Sequence, residues 1–279
     1  MELPQVWPAP AKLNLMLRVV GRRDDGYHLL QTVFQFIDLQ DELAFSLRDD
    51  GRIRRIDGPA DVPADADLAV RAAHALKAAT GSGAGVDIAI AKRIPMGGGL
   101  GGGSSDAATT LVALNRLWQC GLDTRQLQQI GVGLGADVPI FVHGQAAWAE
   151  GVGEEFVAIE PAEPWYALFV PPVHVNTGKV FQDPDLTRNS DRITIRDFLA
   201  GDTVNDCLAI VRRRYPEVAQ VFDWLNERAE ARMTGTGACL FAACRDRAHA
   251  DELVAASPAG VSAHAVRGCN RSALLDLSA

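Results

Sequence analysis

Residues 95–108 read PMGGGLGGGSSDAA, and six of the seven residues at 97–103 are glycine. A backbone without side chains can approach a ligand closely. The run follows alternating apolar residues at 86–90, which predict a strand, and it precedes residues 104–120, which read as a helix. Because the free N–H groups and the dipole of a helix N-terminus favour negative charge, the loop predicts a phosphate site. A flexible linker is the competing interpretation, but linkers rarely precede a helix that begins with good capping residues, here Ser104, Ser105 and Asp106.

Two common phosphate-binding patterns fit this loop poorly. The pattern G-x-x-x-x-G-K-[ST] can be laid on residues 98–103, but Ser104 then stands where the lysine is required. The dinucleotide pattern G-x-G-x-x-G fits Gly97, Gly99 and Gly102, yet it also requires a strand after the helix that ends in an acidic residue. Asp123 has nearly the right distance but lies in a predicted helix–helix turn. A dinucleotide-dependent oxidoreductase is therefore a weak alternative.

Outward from the loop, strands and helices follow one another without a regular βαβ rhythm, which predicts an α+β fold. Asp123 and Gln126 have the spacing of a capping box for a helix. The remaining predicted strands cover residues 12–20, 32–39 and 166–170, and the remaining helices residues 67–80, 206–215 and 218–230. A polar loop is predicted at 182–191, and a glycine turn at 234–237 leads into the apolar residues 238–244. A proline-rich stretch at 161–164 marks the predicted domain boundary.

The composition excludes several functional classes. The chain has 279 residues, 48% of them apolar, a net charge of -8 and five cysteines that never form C-x-x-C. The acidic balance argues against nucleic acid and acidic membranes as partners. The cysteine pattern predicts neither a disulfide framework nor a zinc site and suits a reducing cytoplasm. With no signal-like start and no apolar run of roughly 18 residues, we expect a cytoplasmic protein, either monomer or homodimer.

The loop resembles P-x-G-x-G-L-G-x-S-S, the phosphate loop of the GHMP kinases, with extra glycines inserted. Three further segments resemble motifs of the branch of that superfamily whose substrate is a cytidine-diphosphate-linked polyol. They occur in the family's order and spacing and read PAPAKLNLMLRVVGRRDDGYHLLQTVFQ (8–35), LGADVPIFVHGQAAWAEGVGE (134–154) and MTGTGACLFAAC (233–244).

The resemblance implies a two-domain α+β GHMP fold and a kinase of the non-mevalonate isoprenoid route. Residues 1–160 would form an ATP-binding domain whose topology is shared with some ribosomal proteins, and residues 161–279 a ferredoxin-like substrate domain. ATP would donate the phosphate to a hydroxyl of the small-molecule substrate, and Mg²⁺ would be held mostly by ATP and water, with Ser105 as a candidate ligand. The residues expected to bind ATP are Pro95, Met96, Gly97, Gly98, Gly99, Leu100, Gly101, Gly102, Gly103, Ser104 and Ser105.

The resemblance also gives roles to residues that would otherwise have ordinary explanations. Asp137, which alone reads as a local hydrogen-bonding residue of a turn, matches the catalytic base. Lys12, which alone reads as a solvated lysine, would hold that carboxylate ionised and stabilise developing charge. Six residues are expected to bind the substrate. Tyr27 and Phe181 would cover the two faces of the cytosine, and His28 would bind its edge. Asn14 would help to orient the substrate, and Asn176 and Thr177 would line the same pocket.

Two positions depart from the family pattern. Asp67 stands where an asparagine is expected near the nucleotide base, and Pro172 replaces an expected glycine. The departures put adenine contacts and pocket shape in doubt. The alternatives left open are a homoserine or mevalonate type of GHMP kinase and a catalytically inactive nucleotide-binding module.

Overall fold

The structure is a computed structural model that describes residues 5–24 and 26–278, with only the backbone of residue 278. The strands in this part of the chain are β1 (Val6–Arg22), β2 (His28–Arg48), β3 (Ile53–Asp57), β4 (Gly85–Ala91), β5 (Ala147–Glu150), β6 (Glu155–Ala158), β7 (Trp165–Val170), β8 (Arg232–Met233), β9 (Leu240–Cys244) and β10 (Ser262–Cys269). The helices are α1 (Leu68–Thr80), α2 (Gly102–Leu117), α3 (Thr124–Val132), α4 (Val138–His143), α5 (Thr177–Phe181), α6 (Ile195–Leu199), α7 (Leu208–Arg214), α8 (Pro216–Asn226), α9 (Arg247–Ala255) and α10 (Leu275–Ser278).

A long antiparallel pair, β1 and β2, forms the centre of the molecule. Its register runs from Val6 opposite Ala44 to Arg22 opposite His28. The sequence predicted both strands but made them shorter. Residues 8–17 of β1 are almost continuously buried, rather than buried on one face alone. Both faces are covered, because α2 packs on one side and the second half of the chain on the other.

One continuous sheet joins the two halves of the chain. Its order is β3-β4-β2-β10-β7-β9-β8, with β1 and β5 also paired to β2 and β6 paired to β5. Strand β10, which the sequence did not predict, is the connection: it pairs with β7 over residues 262–267 and with β2 through residues 268 and 269. The mixture of helices and strands confirms the predicted α+β class.

Three clusters of buried apolar side chains make the core. The first lies among α1, α2, α4 and the early strands, and the second among α7, α8, α9, β7 and β9. The third joins residues of both halves, including Leu13 and Ile37 from β1 and β2 with Leu168 and Phe241 from β7 and β9. Leu274, near the end of the chain, is buried in the first cluster. The predicted division at residue 160 stays a prediction, and the last residues return to the first half.

The start of α2 differs from the prediction. Gly101 is the N-cap, with φ +75°, and as a glycine it has no side chain with which to cap the helix. The predicted caps Ser104, Ser105 and Asp106 all lie inside the helix, since Gly102 and Gly103 already belong to its first turn. Two helices follow α2 directly, so the strand required by a dinucleotide fold is absent there. The predicted capping box of α3, Asp123 with Gln126, is confirmed.

In the described part of the chain, none of the helices combines the length and apolar character that crossing a bilayer requires.

Candidate active site

Lys12 and Asp137 lie side by side although they are far apart in the sequence. Lys12 is almost fully buried in β1, and its Nζ lies 3.3 Å from Oδ2 of Asp137. The same Nζ donates to Oδ1 of Asn14 at 2.5 Å and to the carbonyl of Gly99 at 2.9 Å. Asp137 precedes α4 but does not cap it with its side chain, so its carboxylate is not used by the local turn. The two predicted catalytic residues therefore form an ion pair.

A cavity of about 420 Å³ lies against the glycine loop. Asp137 lines this cavity, as do Lys92, Asp106 and Asp67. Of the eleven residues predicted to bind ATP, all but one line it: Pro95, Met96, Gly97, Gly98, Gly99, Leu100, Gly101, Gly102, Gly103 and Ser104.

Ser105 is the exception and requires a correction. Its side chain is fully buried, and its hydroxyl donates to the carbonyl of Pro10 at 2.7 Å. From the sequence, this hydroxyl was expected to bind the phosphates of ATP and Mg²⁺. Because α2 begins at Gly102, two residues before Ser104, Ser105 faces β1 rather than the cavity. Ser104 is the serine of the pair that lines the cavity.

The glycine turn at 234–237 packs against the glycine loop. Thr234 lies so close to the loop that a Cβ on Gly99 would stand 2.6 Å from the Thr234 carbonyl oxygen. The backbone N–H of Cys239 donates to the carbonyl of Gly98 at 3.0 Å. On the other side, the backbone N–H of Lys12 donates to the carbonyl of Leu100 at 3.0 Å. The loop is therefore held between β1 and the turn that precedes β9.

The sequence analysis did not predict a cluster of buried charged side chains beside the glycine loop. Lys92 Nζ contacts Oδ2 of Asp41 at 2.5 Å and Oδ2 of Asp106 at 2.7 Å, and both carboxylates are buried. Within the described residues, Oδ1 of Asp106 has no hydrogen-bond partner. Burial raises the pKa of Asp106 to about 7, and the charges of Asp41 and Asp67 add to the rise while Lys92 opposes it. The sequence could have indicated this cluster, because a lysine (Lys92) and an aspartate (Asp106) stand on either side of the glycine loop.

A second cavity, of about 520 Å³, collects most of the predicted substrate residues. Tyr27, His28, Thr177 and Phe181 all line it, and the ring of Tyr27 is largely exposed. Ala136 also lines it, and the next residue, Asp137, lines the first cavity. The base candidate thus stands where the two cavities approach each other.

Three predicted substrate residues make contacts that the sequence did not predict. Phe181 lines the second cavity and stacks on the ring of His28, with centroids 4.9 Å apart. Asn14 is buried, and its amide binds Lys12 and the hydroxyl of Thr32, so it positions Lys12 and does not reach the second cavity. Asn176 caps α5 by accepting from the backbone N–H of Lys179.

Arg188 is a functional candidate that the sequence did not reveal, since it lies within the predicted polar loop. Its Nε donates to Nε2 of His28 at 3.2 Å, and it lines the second cavity with Arg22. Burial lowers the pKa of His28, and the positive charges of Arg188 and Arg22 lower it further. The cavity therefore combines aromatic rings with two cations, which suits a base attached to a negatively charged group.

The two residues that depart from the family pattern, Asp67 and Pro172, lie in different parts of the structure. Asp67 lines the first cavity and caps α1, and its Oδ2 pairs with Arg55 at 2.6 Å. Its carboxylate is thus tied to the protein at both oxygens. Pro172 is exposed and lies on a separate surface cleft with Trp224.

Comparison with known proteins agrees with this geometry. Residues 67–145 match the family described as GHMP kinases N terminal domain, and residues 186–260 match GHMP kinases C terminal. A protein of Pseudomonas syringae pv. syringae (strain B728a), named 4-diphosphocytidyl-2-C-methyl-D-erythritol kinase, is 52% identical over 275 residues, which cover 98% of each chain.

Solved structures give the same result. A crystal structure of 4-(cytidine 5'-diphospho)-2C-methyl-D-erythritol kinase superposes with a TM-score of 0.82 at 33% identity, covering 95% of this chain and 99% of the other. A mevalonate kinase superposes with a TM-score of 0.71 at 14% identity, covering 96% of this chain and 100% of the other, and this likeness concerns the fold alone.

Proposed function

Because the chain belongs to the GHMP kinase family, we propose that it transfers the γ-phosphate of ATP to the 2-hydroxyl of 4-diphosphocytidyl-2-C-methyl-D-erythritol. One observation carries the proposal. The Lys12–Asp137 pair stands between the glycine-lined first cavity and the second cavity, which contains aromatic rings and two arginines. Asp137 lines the first cavity, and its neighbour Ala136 lines the second. A kinase needs the donor phosphate and the acceptor hydroxyl to meet in line, and a carboxylate at that point can accept the hydroxyl proton.

Asp137 is the proposed base. Phosphoryl transfer requires an in-line hydroxyl and compensation of charge, and a carboxylate that accepts the hydroxyl proton assists the step. Lys12 holds Asp137 in place at 3.3 Å and offers positive charge where the hydroxyl and the phosphate meet. Asn14 and the carbonyl of Gly99 fix the ammonium group of Lys12, so its position does not depend on the ligand.

ATP is proposed to occupy the first cavity, with its phosphates on residues 97–104 at the N-terminus of α2. Within the described residues there is no group of three or more His, Cys, Asp and Glu side chains that could hold a metal ion. We propose that Mg²⁺ takes most of its ligands from ATP and water, with Ser104 as the hydroxyl that faces it. When bound, Mg²⁺ neutralises phosphate charge.

The second cavity is the proposed site of the cytidine diphosphate group. Stacking of a base on an aromatic ring contributes about 1–3 kcal/mol, and Tyr27, His28 and Phe181 supply rings there. Arg22 and Arg188 offset the charge of the diphosphate. The five cysteines are free, which suits the cytoplasm as the proposed location. The non-mevalonate isoprenoid route is the proposed pathway, because relatives at 52% identity are named as the kinase of this substrate.

The test is an ADP-release assay with Mg²⁺-ATP that compares the cytidine substrate with homoserine and mevalonate. We expect turnover of the cytidine substrate alone and a fall in kcat of about 100-fold or more for Asp137→Asn, because the proton acceptor is lost. Asp251→Asn, a matched change at an exposed position of α9, should keep wild-type activity. Turnover of another alcohol, or a fully active Asp137→Asn, would refute the proposal.

A further inference from the structure

Arg188 binds four acceptors at once, and one of them is a histidine nitrogen. Its Nε donates to Nε2 of His28 at 3.2 Å, while its terminal nitrogens donate to the carbonyls of Leu186 at 3.1 Å, Phe181 at 2.9 Å and Asp183 at 2.8 Å. Three bonds to backbone carbonyls fix the guanidinium plane. The direction of the fourth bond, towards His28, is therefore set by the loop and not by the ligand.

This contact determines which nitrogen of His28 carries the proton. An arginine N–H can only donate, and arginine does not lose its proton in proteins. Nε2 of His28 must therefore be an acceptor, and the single proton of the neutral ring resides on Nδ1. Burial and the charges of Arg188 and Arg22 lower the pKa of His28, which keeps the ring neutral.

The ring is also held in one orientation. Phe181 stacks on it with an angle of 23° between the planes, and the carbonyl of Phe181 is itself bound by Arg188. Arg188 thus fixes both the stacked pair and the proton on one member of it. His28 lines the second cavity, so this cavity contains an imidazole that is a donor at Nδ1 and has its other nitrogen occupied.

We propose that Arg188 is a positioning residue that gives the second cavity its preference for cytosine over uracil, by fixing His28 as the Nδ1–H tautomer. N3 of cytosine is an acceptor and matches an N–H donor, whereas N3 of uracil carries a hydrogen and opposes it. The inference rests on the proposed function for the identity of the base. It adds Arg188 as the residue that sets the tautomer of His28, the histidine that the resemblance already places on the base edge.

A structural role for Arg188 predicts something different. If the guanidinium only holds residues 181–188 together, its replacement weakens binding of every base equally. If it sets the tautomer, its replacement by a residue without Nε changes the ratio between bases. The ratio of affinities for cytidine diphosphate and uridine diphosphate separates the two roles, and it needs no catalytic step.

The experiment measures binding of cytidine diphosphate and uridine diphosphate by calorimetry to wild type and Arg188→Lys. A buried donor facing a mismatched donor costs about tenfold or more in affinity. We expect wild type to prefer cytidine diphosphate by that factor and Arg188→Lys to bind both within about twofold. The matched control is Arg192→Lys. Arg192 is exposed and pairs with Glu150 at 2.8 Å, so this variant should keep the wild-type ratio of the two affinities.

A spectroscopic measurement tests the tautomer directly on the wild-type protein. Nitrogen NMR of the imidazole rings, with His28 assigned through His28→Gln, should show a protonated Nδ1 and an unprotonated Nε2. A proton on Nε2, an unchanged base ratio in Arg188→Lys, or an equal loss of both affinities would overturn the inference. If both measurements agree with it while the cytidine substrate is not phosphorylated, the proposed function fails and the inference stands.

Discussion

At the scale of single residues, the position of Lys12 depends on Asn14. The sequence assigned Asn14 to the substrate, whereas its amide accepts from Lys12 Nζ and donates to Thr32. Its backbone N–H also donates to the hydroxyl of Thr234 at 2.9 Å. Asn14 is therefore a positioning residue whose effect should reach the reaction through Lys12.

Asn14→Ala should lower kcat about tenfold while the KM of the cytidine substrate changes little, because the variant loosens Lys12 without touching the second cavity. Steady-state kinetics with each substrate varied in turn measures the split. A large rise in that KM with kcat preserved would mean that Asn14 contacts the substrate, as the sequence predicted.

Asp106 should make stability depend on pH. Its pKa lies near 7 in the folded protein against 3.8 in its ordinary state, because burial and the charges of Asp41 and Asp67 outweigh Lys92. As pH rises from about 4 to about 7, the unfolded chain releases this proton while the folded protein keeps it. The contribution of Asp106 to the free energy of unfolding then falls by up to roughly 4 kcal/mol over this window and is constant above it.

Asp106→Asn removes that dependence. We expect the free energy of unfolding of Asp106→Asn, minus that of wild type, to increase between pH 4 and pH 7 in urea titrations. Asp251→Asn, at an exposed site, provides the control and should show a flat difference. A flat difference for Asp106→Asn as well would show that this carboxyl titrates normally in the folded state.

At the scale of elements, motif order allowed prediction of which segments meet, but the start of α2 decided which way side chains point. The glycine loop carries its own sequence pattern, whereas Lys12 and Asp137 were expected to meet only because the resemblance gives both a role at one site. The direction of Ser105 was not, since it depends on whether the helix begins at Ser104 or at Gly102, and a run of glycines contains no signal for that choice. The partners of Arg188 and Asp106 come from distant elements, so their neighbourhood was equally hidden.

Two glycines of the glycine loop should respond to substitution in opposite ways. Gly99 has φ +81°, and a Cβ there would lie 2.6 Å from the carbonyl oxygen of Thr234. Gly103 lies inside α2, and the nearest atom to an added Cβ is Leu68 Cδ1 at 3.5 Å. Gly99→Ala should lower the free energy of unfolding by about 1–3 kcal/mol, whereas Gly103→Ala should raise it by up to about 1 kcal/mol.

Urea unfolding of both variants checks this pair of expectations, and each variant is the other's control. Equal effects of the two substitutions would show that the loop relaxes away from the turn at 234–237. The loop would then not be braced as its contacts with Thr234 and Cys239 indicate.

At the scale of the whole molecule, the sequence predicted two domains, and the structure adds what joins them. Strand β10 continues one sheet from β7 to β2, and a third cluster of apolar residues lies between the halves. No sequence pattern predicted β10, because its pairing with β2 involves only residues 268 and 269 and a close approach of Gly268 to Gln35 and Tyr166. The site spans this junction, so the stability of the junction and the geometry of the site are connected.

A buried polar contact at the junction provides the last prediction. The hydroxyl of Tyr166 in β7 donates to Oε1 of Gln35 in β2 at 2.7 Å, and the amide nitrogen of Gln35 donates to Ala162 and Asn270, both at 2.9 Å. Gln35 is fully buried, so Tyr166→Phe leaves an oxygen without this donor and should lower the free energy of unfolding by about 1–3 kcal/mol.

The control is Tyr215→Phe, which should lower the free energy of unfolding by less, because the Tyr215 hydroxyl accepts a longer bond of 3.3 Å from the N–H of Asn176. Denaturant unfolding followed by tryptophan fluorescence measures both, in backgrounds that keep either Trp7 in the first cluster or Trp224 against the second as the single remaining tryptophan of the five. If the junction couples the halves, Tyr166→Phe shifts the midpoints of both reporters together. A shift confined to one reporter would show that the two halves unfold separately and that the shared sheet does not make them one cooperative unit.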